Sequence, residues 1–104
     1  MGLTTDRNDP ELRDIRPDGQ QKSYLVLSDE ERAKGFVRPV RYTYRHLKCG
    51  TATTMVRVIA ETYARDPTFY GGTFCAACSN HFSLRNSDGT HNFEWDGSSD
   101  AVGS

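Results

Sequence analysis

His46, Cys49, Cys75 and Cys78 are the side chains whose types and spacing could do chemistry together. They fall in two short runs, His46-Leu47-Lys48-Cys49-Gly50 and Cys75-Ala76-Ala77-Cys78. A His-x-x-Cys or Cys-x-x-Cys run lets two donors of one tight turn reach the same ion. Two such turns supply the four ligands that close a tetrahedral zinc site. The spacing therefore predicts one structural Zn2+ held by His46, Cys49, Cys75 and Cys78. All 3 cysteines of the chain lie in these runs, and an odd number suits a metal site better than a disulfide framework.

Three other chemistries compete for these residues. Cys75 and Cys78 could be a redox pair, but such a pair opens a helix beside a parallel sheet, whereas strand-like alternation follows Cys78. His81 or His91 could replace His46 as the fourth ligand; His46 is preferred for its matched spacing and the Cys-Gly that follows. A deaminase-type zinc needs His-x-Glu and Pro-Cys-x-x-Cys. Here Lys48 and Phe74 stand where the acid and the proline would be, and Cys49 would fill the position a catalytic water needs. No other catalytic constellation is evident, so the expectation is a non-enzymatic protein.

The elements that must position the four donors follow from local pattern. Phe36 to Arg45 reads as a strand, placing Val40, Tyr42, Tyr44 and His46 on one face and Arg41, Thr43 and Arg45 on the other; Pro39 suggests an edge strand. Gly50 suits a left-handed turn position, as does Asn80 in the second run. Thr51-Ala-Thr-Thr54 can cap a helix, and the apolar stripe of Met55, Ile59 and Tyr63 predicts one over about 53–65, ended by Asp66-Pro67. Ser28 with Glu31 is a capping box for a short helix over 29–34, stopped by Gly35. Phe82, Leu84, Phe93 and Trp95 alternate about the Asn86-Ser-Asp-Gly89 turn, which predicts a β-hairpin over about 81–95.

The expected architecture is α+β: a small zinc-braced domain over 23–96 with two ligand turns, one central helix and a C-terminal hairpin. Residues 1–22 and 97–104 read as flexible tails. Hydrophobic residues are 36% of the 104, so the core must be small and a metal is a common supplement. No apolar run is long enough to span a bilayer and no basic-then-apolar leader is evident, which predicts a soluble, cytoplasmic protein.

Net charge is −1, but its distribution is uneven. Between Arg32 and Ala60 the charged residues are Arg32, Lys34, Arg38, Arg41, Arg45, Lys48 and Arg57, with no acid among them. Such a segment can meet phosphates or an acidic protein surface, or be neutralised by acids elsewhere in the fold.

The ligand turns resemble the knuckles of zinc-ribbon and treble-clef-like zinc fingers over about residues 44–95. The intervening helix departs from a plain ribbon, and the hairpin after Cys78 departs from a treble clef. The segment also looks like small zinc-knuckle proteins of unknown function encoded by phages and other mobile elements. That resemblance implies a protein-binding adaptor or inhibitor of a host system, such as a defence complex, acting in the host cytoplasm. The alternative is a nucleic-acid-binding zinc finger using Arg38, Arg41, Arg45, Lys48 and Arg57, with Tyr42 or Tyr44 for stacking. Self-association through a Phe36–Arg45 edge strand is compatible with either.

Overall fold

Two-residue alternation around Tyr44 and His46 sets the centre of the molecule, because both side chains are buried while their neighbours Thr43 and Arg45 are half-buried. In the computed structural model, which describes residues 2–104, this alternation is carried by strand β3 (Thr43–His46). Strand β3 lies between β4 (Ala52–Thr54) and β7 (Phe93–Trp95), antiparallel to both. A second antiparallel pair joins β5 (Gly72–Cys75) to β6 (Asn80–Ser83). Helix α2 (Arg57–Arg65) connects β4 to β5. It buries Ala60, Thr62, Tyr63 and Ala64, with Met55 and Ile59 partly buried against the core. The core is aromatic, built from Tyr44, Tyr63, Phe93 and Trp95 with Leu84 and Val102.

The architecture is small α+β with one main helix, and several expectations need correction. The strand predicted over Phe36–Arg45 begins only at Thr43. Its first half instead closes the C-terminal end of α2, where the Val37 and Arg38 N–H groups both donate to the Ala64 carbonyl (2.9 and 3.1 Å). Because β3 is paired on both sides, it offers no edge for self-association.

Helix α2 starts at Arg57 rather than near 53. The residues expected to cap it, Thr51–Thr54, pair with β3 instead, and Met55 N–H extends that ladder to the Tyr42 carbonyl (2.8 Å). Threonine is β-branched and suits a strand. Helix α1 (Asp29–Ala33) forms as its cap predicts, with Ser28 Oγ accepting from Glu31 N–H at 3.3 Å.

The predicted 81–95 hairpin survives only at its tip, where Arg85 bridges His91 and Asn86 N–H bonds the Thr90 carbonyl at 2.7 Å. Its two arms belong to different sheets, β6 with β5 and β7 with β3.

Among the described residues, both segments expected as tails make contacts with the fold. Strand β1 (Gly2–Thr4) pairs in parallel with β2 (Ser23–Leu25). The chain between them is tied by the Lys22 N–H to Asp14 carbonyl bond (2.8 Å) and the Arg16 N–H to Gln20 carbonyl bond (2.7 Å). At the other end, Val102 is fully buried and donates its N–H to the Phe93 carbonyl (3.0 Å). Among the described residues, no helix is long and apolar enough to cross a membrane.

Candidate metal centre

Each ligand run is the turn of a hairpin, and the two hairpins share one register. In the first, Arg45 faces Ala52 and the His46 N–H donates to the Thr51 carbonyl (3.1 Å). In the second, Phe74 faces His81 and Cys75 faces Asn80. His46 thus occupies in one hairpin the place of Cys75 in the other, and Cys49 the place of Cys78.

The residue after the second donor is left-handed in both turns: Gly50 at φ 73° and Ser79 at φ 51°. The left-handed position of the second turn is therefore Ser79 and not Asn80, which is already in β6. The turn needs that conformation immediately after Cys78, and a serine supplies it at a steric cost that glycine avoids.

The hairpins bring the four donor atoms within 4.8 Å of one another. Cys49 Sγ is 3.4 Å from His46 Nδ1 and 3.5 Å from Cys75 Sγ, and Cys78 Sγ is 3.8 Å from His46 Nδ1. Zn–S and Zn–N bonds of about 2.3 and 2.1 Å would give tetrahedron edges of about 3.6–3.8 Å, close to these three separations, so the cluster could hold such an ion. His46 and Cys75 are buried while Cys49 and Cys78 lie at the surface. The buried His46 ring stacks on Phe93 and meets Phe82 at a tilt, with centroids 4.7 and 4.5 Å away, and its Nδ1 is the atom nearest the thiols.

The outer thiols differ in acidity. Hydrogen bonds, chiefly from the Thr51 backbone and then from its hydroxyl, Cys75 and His46, hold Cys49 down to about 6. Hydrogen bonding to Cys75, followed by desolvation and the neighbouring Cys49, pushes Cys78 up to about 11. Cys49 is thus a ready thiolate at neutral pH, whereas Cys78 has to release a proton to a metal.

The other histidines serve elsewhere. His81 Nε2 meets the Tyr24 hydroxyl at 2.9 Å, and His91 Nε2 meets Glu94 at 2.8 Å. No protein-family model, curated protein or solved structure matches this chain. The site is therefore read from its own geometry.

Two features of the site lay outside the ligand spacing. Thr53 Oγ1 accepts the Ala76 N–H at 3.2 Å, tying the second turn to β4. The segment read as an N-terminal tail sits against that same turn. A Cβ on Gly19, at φ +92°, would fall 2.1 Å from the Ser79 carbonyl oxygen. The docking of Gly19 on Ser79 is a long-range contact with no local signal in the sequence.

The basic segment is largely matched by acids. Arg32 pairs with Asp29 and Glu61, Lys34 with Glu31, Arg41 with Asp100, Arg45 with Glu94 and Asp96, and Arg57 with Glu61. Arg41 also stacks on Trp95, 4.8 Å from the ring centroid. Of the five residues named as candidate partner contacts, Arg38 and Lys48 are those without an ion pair among the described residues.

Proposed function

We propose that this chain is a protein-interaction module whose fold is held by one structural zinc ion on His46, Cys49, Cys75 and Cys78. The observation that carries the zinc reading is the convergence of four soft protein donors from two hairpins of matched register. Four protein ligands complete a tetrahedron and leave no position for a reactive water, which favours a structural over a hydrolytic ion.

Protein interaction is favoured over nucleic-acid binding by what the surface leaves free. Ion pairs occupy Arg41, Arg45 and Arg57, so only Arg38 and Lys48 of the five candidate cations remain to neutralise phosphates. Phe36 and Val37 are exposed, at 44% and 56%, on the loop that also carries Arg38, and Tyr42 and Val56 are exposed at 43% and 41%. Exposed apolar and aromatic residues beside a free arginine suit a protein contact.

Native mass spectrometry with elemental analysis, before and after chelation, tests the first half. One zinc per chain, lost together with the fold, is the expected result; a folded, reduced, metal-free protein would refute it. Partner capture compared between the wild type and a Phe36→Ser/Val37→Ser variant tests the second half. A partner retained equally by both would move the contact off this face.

A further inference from the structure

A cleft of about 310 Å³ lies between the two hairpins and α2, with Tyr44 and Tyr63 among its buried walls. Its volume falls at the lower end of the size class of small-molecule sites. The four metal donors do not line it, and neither the zinc site nor the exposed Phe36–Val37 face accounts for it.

Three properties define what it can hold. First, no lining residue is charged, in a chain where charged residues are 26%. Desolvation pushes Tyr44 up to about 12 and raises Tyr63 and Tyr70 as well, so the phenols stay neutral. An ionic ligand would lose its hydration with no counter-charge to replace it. Second, tyrosine rings with Met55 and Ile59 form much of the wall, beside Gln20, Phe74 and three threonines. Tyr63 and Tyr70 lie 4.7 Å apart between centroids, and such surfaces suit a flat ring.

Third, two unpaired strand edges border the cleft. The His46–Thr51 and Tyr42–Met55 bonds set the phase of the β3–β4 ladder. Antiparallel alternation then turns the peptide groups of Ala52 and Thr54 away from β3. The Leu84 N–H to Gly71 carbonyl bond (3.0 Å) likewise sets β5–β6, so the peptide groups of Gly72 and Phe74 turn away from β6. The Phe74 carbonyl is taken by the Tyr44 hydroxyl, whereas β4 and β5 are not paired with each other. Thr54 and Gly72, both lining the cleft, therefore offer backbone donors and acceptors to a ligand edge.

We infer that this cleft binds a neutral, planar heteroaromatic small molecule carrying a hydrogen-bond donor and an acceptor on its ring edge. Benzimidazole, at a pH where it is uncharged, is the probe, titrated into the metal-loaded protein and followed by amide NMR. Saturable shifts at Thr54, Ile59 and Gly72 are expected. Benzimidazole-5-carboxylate should bind at least about tenfold more weakly, because its charge finds no partner. Val56 lines the cleft yet is 41% exposed, so Val56→Trp should obstruct the opening without disturbing the core and weaken binding by about tenfold or more. Val37→Trp, also at an exposed valine but away from the cleft, should leave binding unchanged. No saturation at millimolar benzimidazole, equal binding of the carboxylate, or full binding by a folded Val56→Trp variant would each overturn the assignment.

Discussion

The two left-handed residues that follow Cys49 and Cys78 make a matched experiment. A Cβ on Gly50 would meet nothing within 4 Å, so Gly50→Ala tests backbone conformation alone and should cost about 1 kcal/mol. Ser79→Gly should do the reverse and stabilise by up to about 1 kcal/mol, since it relieves a side chain at φ 51°. Urea melts in excess zinc will read both signs. Cys75 is fully buried, and Cys75→Ser should abolish metal retention and the folded state together. A structural zinc contributes about 10–16 kcal/mol in small domains, comparable to or above the whole stability of a domain this size. Far-ultraviolet circular dichroism with metal analysis will show it. The acidities of the outer thiols add a pH dependence. Cys49, near 6, is ionised at neutral pH, while Cys78, near 11, is not. Zinc binding should therefore release at least one proton at neutral pH, and affinity should rise with pH there. Calorimetry in buffers of different ionisation enthalpy measures that release.

At the scale of elements, the N-terminal segment is coupled to the second turn through Gly19 and through the Tyr24–His81 contact. Gly19→Ala combines a positive φ with a backbone collision, and should destabilise well beyond Gly50→Ala. Burial lowers the pKa of His81 from its ordinary value of 6.5. The folded state thus favours neutral His81, and its contribution is full above about pH 6.5 and lost as pH falls below that value. Urea midpoints at neutral pH and about one unit below 6.5 should differ less for His81→Gln than for the wild type. These contacts also mark what the sequence could say. The ligand runs, Ser28 capping α1, Gly50 in its turn and the Ile59–Tyr63 stripe were legible because each is local. The docking of residues 2–25 was not, since it rests on long-range contacts: Gly19 against Ser79, Tyr24 with His81, and the Tyr70 hydroxyl donating to the Leu25 carbonyl. Such contacts carry no apolar period. Thr51–Thr54 was misread for a related reason: the same threonines can cap a helix or enter a ladder, and β3 was the deciding partner.

Across the whole molecule, acids outside residues 32–60 fold back onto cations within that segment, so the uneven charge of the sequence is partly evened out in space. Binding to DNA or RNA should accordingly be weak and shallow in salt dependence, as fluorescence anisotropy over a salt series can determine. A steep slope would restore the nucleic-acid alternative through Arg38 and Lys48. The cleft has a related global property, because its β4 wall adjoins one turn of the candidate metal site and its β5 wall the other. A metal joining the turns would hold the walls at their spacing, and chelation would separate them. Zinc and cleft ligand are then thermodynamically linked: whatever factor the ion adds to the ligand's affinity, the ligand must return to the ion's. A filled cleft should slow the loss of zinc to a chelator, so occupancy of one site could be read at the other.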